Sequence, residues 1–200
     1  MFDGSSCDLC QQVLSAAAYG TRCQRCTNEH SSLDSCTARV AFSGNAETWI
    51  REFKYPGSEI AGLVPGPEAI ATALVRDAAL PFSPPDMVVP IPLHVNRLRE
   101  RGFNPATTLA RAVAEQRESH LVTNLLVRIR DTPSQTHLGK RARRKNVRNA
   151  FACTRTPAEN VWLVDDVVTT GSTLEEAARC LRAAGASRVH AICIARTPQR

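Results

Sequence analysis

Thirteen residues, VWLVDDVVTTGST from Val161 to Thr173, carry the clearest pattern in this sequence. The compact apolar run Val161–Val164 is typical of a buried central strand. Two carboxylates and a turn of small residues follow it, and the segment Thr173–Ala184 then has apolar residues at helical spacing. The stretch therefore predicts a strand, a tight turn and a helix in direct succession.

Both ends of this helix have recognisable signals. Ser172 and Glu175 have the spacing of a capping box, and Gly185 is a typical C-terminal stop. Outward from this unit the chain continues to alternate. We predict further strands at Met87–Ile91, Leu121–Ile129 and Val189–Ala195, and helices at Trp49–Lys54, Glu68–Ala79 and Pro105–Gln116.

This alternation predicts an α/β fold with a mostly parallel central sheet and flanking helices. Residues 27–45 are polar and weakly patterned, and are predicted as a connector. We therefore expect a small N-terminal segment over residues 1–40 and one main domain over residues 46–200.

The residues after the apolar run suit a sugar phosphate. Asp165 and Asp166, at the carboxyl end of a strand, can accept hydrogen bonds from neighbouring ribose hydroxyls. The small residues of Thr169–Thr173 let the backbone fold tightly around a phosphate, and the following helix adds its positive N-terminal end. The alternative is an ordinary capped connection, because Asp, Thr, Ser and Gly are common in turns.

The net charge of +6 is concentrated in one element. The segment Arg128–Arg148 has eight Lys or Arg residues against Asp131 alone, and so carries +7. We expect its partner to be a phosphorylated small molecule or a nucleic acid. If the segment is a mobile loop that closes over a charged substrate, Lys140, Arg141 and Arg144 are its candidates for binding a pyrophosphate. Arg101, outside this segment, is a further candidate for the same role.

The N-terminal cysteines have metal-ligand spacing. Cys7, Cys10, Cys23 and Cys26 form two close pairs separated by twelve residues, as expected for one tetrahedral zinc, with chance spacing or redox pairs as the alternative. Cys36 and His30 lie just beyond, and are interpreted as an unpaired thiol and a surface imidazole, with a role as a spare metal ligand as the alternative. Cys153, Cys180 and Cys193 are expected to be buried, inert core residues.

The sequence predicts a cytoplasmic protein without membrane insertion. It has no apolar run long enough to span a bilayer, and its first residues do not resemble a secretory signal. Eight cysteines in a reducing compartment are better explained by metal ligands and buried thiols than by disulfides.

In combination, these motifs resemble the ComF/GntX family, in which a zinc ribbon precedes a type I phosphoribosyltransferase domain. The resemblance rests on the cysteine pairs, Pro90-Ile91-Pro92-Leu93, Arg101-Gly102-Phe103-Asn104, the basic loop and Val161–Thr173. Two departures stand out: Pro105 replaces a glutamine that is frequent in the family, and only Cys36 remains of a second cysteine pair.

The resemblance implies that phosphoribosyl pyrophosphate is bound with Mg²⁺. It implies that Asp165 and Asp166 hold the ribose 2- and 3-hydroxyls and stabilise positive charge at C1 during catalysis. The 5-phosphate would be held by the rest of the signature, Val167, Val168, Thr169, Thr170, Gly171, Ser172 and Thr173.

The family is also associated with natural competence, in which single-stranded DNA enters the cytoplasm. The resemblance therefore implies single-stranded DNA or a protein of the uptake machinery as a further partner. The alternative function is a non-catalytic nucleic-acid module. An aromatic content of 5% offers few stacking platforms for single strands, which favours the enzyme.

Overall fold

The computed structural model describes residues 7, 9, 22, 23, 26, 27, 30–55, 66, 69, 70, 72, 83–132 and 145–197. Its strands are β1 (Ser35–Ala41), β2 (Met87–Pro90), β3 (His120–Leu121), β4 (Leu126–Arg128), β5 (Phe151–Cys153), β6 (Asn160–Val168) and β7 (Arg188–Arg196). The longer helices are α1 (Asn45–Lys54), α2 (Val95–Arg101), α3 (Pro105–Gln116) and α4 (Ser172–Ala183).

The predicted parallel sheet is confirmed. Five strands lie in the order β1-β7-β6-β2-β3, and every neighbouring pair is parallel. The remaining strands, β4 and β5, form a separate antiparallel pair. As the third of the five strands, β6 is paired on both sides, which explains why its first half is a continuous apolar run.

Helices cover both faces of the sheet because successive side chains of a strand point to opposite sides. Leu163 of β6 belongs to the cluster that includes Leu174 and Leu181 of α4. Its neighbour Trp162 belongs to the cluster formed with Leu109 of α3 and Ile50 of α1. The two apolar clusters thus hold the helices on opposite faces of β6.

The predicted helices at Trp49–Lys54 and Pro105–Gln116 are confirmed as α1 and α3, and α3 has the predicted bounds. Asn104 caps α3, since its side chain accepts a hydrogen bond from the backbone N–H of Ala106, 3.1 Å away. Pro105 is the first residue of the helix, where a missing N–H has no cost. The departure at this position is therefore compatible with the helix start.

The single strand predicted at Leu121–Ile129 is wrong. The structure has β3 and β4 there, in two different sheets. Thr154, next to β5, accounts for the break: its backbone N–H donates to the carbonyl of Leu125, and its hydroxyl donates to the carbonyl of Asn124. These bonds draw the chain away from β2 and into the β4–β5 pair.

The connector predicted over residues 27–45 is also corrected, because this stretch contains β1. Ser35 and Thr37 are buried although they are polar, and the Ser35 hydroxyl lies 2.9 Å from Nδ1 of His190 on β7. Those polar residues concealed the strand from periodicity arguments. Pairing with β7 means that the main sheet begins before residue 46.

The capping box at α4 is wrong as well. Gly171 is the N-cap, with a φ of 75°, and Ser172 is already the first helical residue. The Glu175 carboxylate does not return to the cap but accepts hydrogen bonds from the Ser31 hydroxyl and the Ser32 backbone N–H. The predicted stop at Gly185 is confirmed, since its φ is 115° just after the helix end.

The core cysteines behave in two ways. Cys193 is buried as expected, whereas Cys153 and Cys180 are only half-buried, with their sulfur atoms 3.5 Å apart.

The predicted helix Glu68–Ala79 lies largely outside the described residues, as does most of the basic loop. Among the helices in the described part of the chain, none combines the length and the apolar character needed to cross a membrane.

The backbone at Gly185 leads to a prediction about stability. An added Cβ would lie 3.5 Å from Cγ2 of Thr156, so space is sufficient, but an L residue is strained at a φ of 115°. We expect Gly185→Ala to lower the free energy of unfolding by about 1–3 kcal/mol. Chemical denaturation measures this, with Gly66→Ala as a control, since an added Cβ there meets nothing within 4 Å. Equal stability of the two variants would contradict the assigned helix end.

Candidate functional site

The acidic pair lies at a step in the central sheet. On one side, β2 pairs with β6 only as far as Val164, whose carbonyl accepts the last hydrogen bond, from the Ile91 N–H at 2.9 Å. On the other side, β7 continues to pair with β6 up to Val168. Asp165 and Asp166 are therefore held in a strand by β7, while β2 does not pair with them on the other side.

Asp165 lies in an environment that disfavours its charge. Burial and the charge of Asp166 raise the pKa of Asp165 to about 8, although the Asp166 N–H, Lys54 and Arg128 act in the opposite direction. The backbone hydrogen bond from Asp166 to its Oδ1 is 2.9 Å long. Asp165 therefore retains its proton to a higher pH than an ordinary aspartate does.

Asp166 has a different partner. The Lys54 ammonium, at the end of α1, lies 2.7 Å from its Oδ2, and both side chains are mostly buried. Its Oδ1 accepts a 2.7 Å hydrogen bond from the Val167 N–H. Sequence reasoning missed Lys54 as a site residue, because a lysine at the end of an amphipathic helix has no motif that points to a carboxylate so distant in the chain.

Next to the pair, the small-residue turn leads directly into α4. Gly171 has the left-handed backbone, and the Thr170 and Ser172 hydroxyl oxygens are 2.8 Å apart. A small cavity of about 20 Å³ is lined here by Asp165, Val167, Val168, Thr169, Gly171, Ser172, Thr173 and Leu174. Most of the predicted signature residues are therefore brought together around one cavity at a helix N-terminus, where anions are favoured.

Arg101, a predicted pyrophosphate residue, contacts Tyr55. Its guanidinium donates to the Tyr55 hydroxyl at 2.8 Å and stacks 4.8 Å from the centre of the same ring. Arg101 is thus anchored to the residue that follows Lys54. The loop after β2 is fixed in turn by Asn104, whose amide donates to the Ile91 carbonyl at 2.9 Å.

Arg128 is a second residue that sequence reasoning counted only as bulk charge. Burial lowers its pKa, while Asp165 raises it and Arg97 lowers it further, so the three groups interact electrostatically. The structure therefore adds Arg128 on the Asp165 side, together with Arg97, which the sequence already offers as a phosphate-binding arginine. The predicted residues Lys140, Arg141 and Arg144 lie outside the described residues.

The N-terminal cysteines form a separate cluster. The sulfur atoms of Cys7, Cys23 and Cys26 are buried and lie within 4.8 Å of one another. Four thiolates around one zinc are about 3.8 Å apart at normal Zn–S distances, so this geometry fits the ion. Cys10, the predicted fourth ligand, lies outside the described residues.

Neither of the other two nearby groups joins that cluster. Cys36 lies on β1, with its sulfur 3.4 Å from Nη2 of Arg196 and hydrogen-bonded to Cys193. His30 is exposed and is not among the clustered ligand atoms in the described part of the chain.

Comparison with known proteins is consistent with this architecture. Residues 98–200 match the model of the phosphoribosyl transferase domain family, which is more than half of the chain. The matched part contains β6, the acidic pair, the turn and α4.

Three relatives extend the likeness. The DNA utilization protein YhgH of Salmonella typhimurium is 31% identical over 94% of this chain and 84% of its own length. Competence protein F of Haemophilus influenzae is 34% identical over 56% of the chain and 51% of its length. Competence protein ComFC of Bacillus subtilis is 37% identical over 58% of the chain and 48% of its own length.

The chain spans about half the length of most of the curated relatives that it matches. The match to YhgH of Salmonella typhimurium, however, covers 94% of this chain and 84% of that protein. The sheet topology, the domain match and these relatives lead to one conclusion: the chain belongs to the ComF family and has a phosphoribosyltransferase-like domain.

Proposed function

We propose that this protein binds phosphoribosyl pyrophosphate through its ribose 5-phosphate part and acts as a phosphoribosyltransferase linked to natural competence and DNA uptake. The observation that carries the proposal is the acidic pair at the step in the sheet, continuous with a small-residue turn at a helix N-terminus. Ligands of open parallel sheets bind at the carboxyl ends of the strands, which is where this turn lies.

The two carboxylates offer different chemistry to a ribose. Asp166 is a carboxylate that can accept a hydroxyl hydrogen bond, provided that the ligand competes with Lys54 for it. Asp165, protonated near neutral pH, can both donate and accept. A vicinal diol has donors and acceptors on adjacent carbons, so an unequal pair of carboxyl groups matches it.

The proposed reaction is a displacement at C1 of the ribose. The bond between C1 and the pyrophosphate oxygen breaks, with its electrons leaving on pyrophosphate, while an acceptor nitrogen or oxygen bonds to C1 and loses its proton. Positive charge develops at C1, and the Asp166 carboxylate, joined by Asp165 where that group is ionised, would stabilise it electrostatically.

The leaving pyrophosphate needs cations on the open side of the pair. Arg97, Arg101 and Arg128 are candidates within the described residues, and Lys140, Arg141 and Arg144 remain candidates from the loop. Mg²⁺, which we propose enters with the diphosphate, would neutralise part of its charge. A protonated Asp165 and an Asp166 already paired with Lys54 make the acidic pair a poor Mg²⁺ site by itself.

The second candidate function is a non-catalytic module that handles single-stranded DNA or a protein of the uptake machinery. It is favoured by the +7 charge of the segment Arg128–Arg148 and by the relatives, which are called DNA utilization and competence proteins. In this case a basic segment would contact phosphates in any sequence. Absence of transfer to any nucleobase, together with salt-dependent DNA binding, would favour this candidate.

We further propose that Cys7, Cys10, Cys23 and Cys26 hold one structural zinc. The described residues of this segment have too little apolar surface for a core of their own, so a metal would supply the folding energy. We keep the cytoplasm as the proposed location, because cysteines with metal-ligand spacing suit a reducing compartment.

The ligand proposal predicts the effect of neutralising the acidic pair. Asp165→Asn combined with Asp166→Asn should weaken binding of phosphoribosyl pyrophosphate by roughly 10- to 150-fold, because hydrogen bonds to charged groups are worth about 1.5–3 kcal/mol. Isothermal titration calorimetry in the presence of Mg²⁺ measures this. The matched control is Glu115→Gln with Glu118→Gln, which removes two exposed carboxylates elsewhere. Equal affinities in both double variants would remove the ligand from this site.

The raised pKa of Asp165 predicts a pH dependence of stability. Between its ordinary pKa of 3.8 and its folded value of about 8, the folded state binds a proton that the unfolded state has lost. Stability from this group is therefore greatest at low pH and falls as the pH rises towards 8.

Asp165→Asn abolishes this titration, so its melting temperature should rise relative to the wild type between pH 5 and pH 8.5. Thermal unfolding at several pH values measures the difference, and Glu115→Gln serves as the exposed control. A difference that stays constant across this range would show that Asp165 is ionised in the folded protein.

The metal proposal predicts about one zinc per chain by elemental analysis. Cys23→Ser should lose most of the zinc and unfold at a lower temperature, as should the wild type after treatment with a strong chelator. Cys180→Ser is the control, because this half-buried cysteine lies outside the cluster. Full zinc content in Cys23→Ser would rule out the assigned ligand set.

A further inference from the structure

A second cavity, of about 770 Å³, lies between the Cys7–Cys23–Cys26 cluster and the first turns of α4. Leu9 and Cys26 line one side, and the turn Thr170–Ser172 lines another. Neither Asp165 nor Asp166 is among its described lining residues. The large cavity is thus distinct from the acidic pair, although the two cavities share part of the turn.

Arg196, the last residue of β7, provides a buried cation in this wall. Its side chain is only 4% exposed, its Nη2 lies 3.4 Å from the Cys36 sulfur, and its Nε has no hydrogen-bond partner among the described residues. No carboxylate in the described part of the chain forms a salt bridge with it. Buried charges are normally paired, so this guanidinium lacks the anion that its burial calls for.

The rest of the lining has a surplus of positive charge. Lys145 and Arg148 are exposed at the cavity and, within the described residues, form no salt bridge. The two acidic residues of the lining are already engaged. Glu175 accepts from Ser31 and Ser32, and Glu176 accepts from Arg179 and from the Asn149 N–H.

Apolar side chains complete the cavity. Leu9, Leu33, Val147 and Val168 line it and are largely buried. An inorganic anion would leave these surfaces without a partner. A ligand with an anionic end and a flat or apolar body would use both parts, and the volume lies in the range of small-molecule sites.

We propose that this cavity binds a phosphate-bearing ligand of nucleotide size, with its phosphate at Arg196, Lys145 and Arg148 and its base against Leu33 and Val147. A free nucleotide and the terminal nucleotide of a DNA strand share this chemistry. The inference goes beyond the proposed transfer reaction, because it requires neither phosphoribosyl pyrophosphate nor the acidic pair.

The test is a calorimetric titration of the full-length, zinc-replete protein with thymidine 5′-monophosphate. Lys145→Gln combined with Arg148→Gln should weaken binding about tenfold or more, since both cations donate charge-assisted hydrogen bonds to phosphate. The matched control is Arg111→Gln with Arg155→Gln, which removes two exposed arginines that do not line the cavity. Arg196→Met probes the buried anchor and should weaken binding at least as much; the surface variant keeps the test valid if this one does not fold.

The acidic-pair variant, Asp165→Asn with Asp166→Asn, separates this site from the proposed ribose phosphate site. It should bind thymidine 5′-monophosphate with unchanged affinity, even if phosphoribosyl pyrophosphate binds to neither protein. Loss of nucleotide binding in that variant would overturn the inference. So would equal binding of thymidine 5′-monophosphate by wild type and the Lys145/Arg148 variant, or no binding of it by the wild type.

Oligothymidylates with a 5′-phosphate or a 5′-hydroxyl distinguish the two sources. A DNA end is the ligand if the 5′-phosphorylated strand binds more strongly than the mononucleotide and the 5′-hydroxyl strand does not bind. Binding of the mononucleotide without binding of either strand supports a free nucleotide.

Discussion

The parallel pairing of β6 with β7 is the constraint on which the site depends. Hydrogen bonds to β7 continue past Val164, where β2 stops, and they hold Asp165 and Asp166 in extended conformation at the open edge. The pairing also continues beyond the strand, since the Thr197 N–H donates to the Val168 carbonyl at 3.0 Å. The turn before α4 therefore starts from a fixed point, and a ligand at this edge meets a preformed surface.

Strand geometry also explains why the two carboxylates differ. Adjacent side chains of a strand point to opposite faces, so Asp166 meets α1 and its Lys54, while Asp165 interacts with Arg128 of β4 on the other side. Among the described residues, Asp166 has a close salt bridge and Asp165 has none. A negative charge on Asp165 is unfavourable next to the Asp166 carboxylate, and protonation of Asp165 removes this repulsion.

The cysteine-rich segment is tied to the main domain at several points. The Cys36 N–H of β1 donates to the Leu9 carbonyl at 2.7 Å, and Arg182 of α4 bonds both Asp34 and the Ser32 carbonyl. Glu175, one turn into α4, holds Ser31 and Ser32. The cavity with Arg196 lies between these attachments, so the folding of the cysteine cluster and the shape of the cavity wall are physically linked.

Local patterns were sufficient for the main elements and for part of the site. The apolar run Val161–Val164, the small turn and the helical spacing after it gave the central strand–turn–helix unit, because these signals lie within a few residues of each other. The spacing of the cysteines likewise predicted a cluster, and Cys7, Cys23 and Cys26 do lie together in the structure.

Long-range contacts determined the rest. Strand β1 has polar residues in its sequence and forms because it pairs with β7. Glu175 does not cap α4, because its carboxylate accepts hydrogen bonds from Ser31 and Ser32 instead. Long-range contacts also determine the roles of Lys54 and Arg196. A cation shows no motif by itself, and only the packing of α1 against the sheet and of β7 against β1 determines which acid, thiol or cavity it faces.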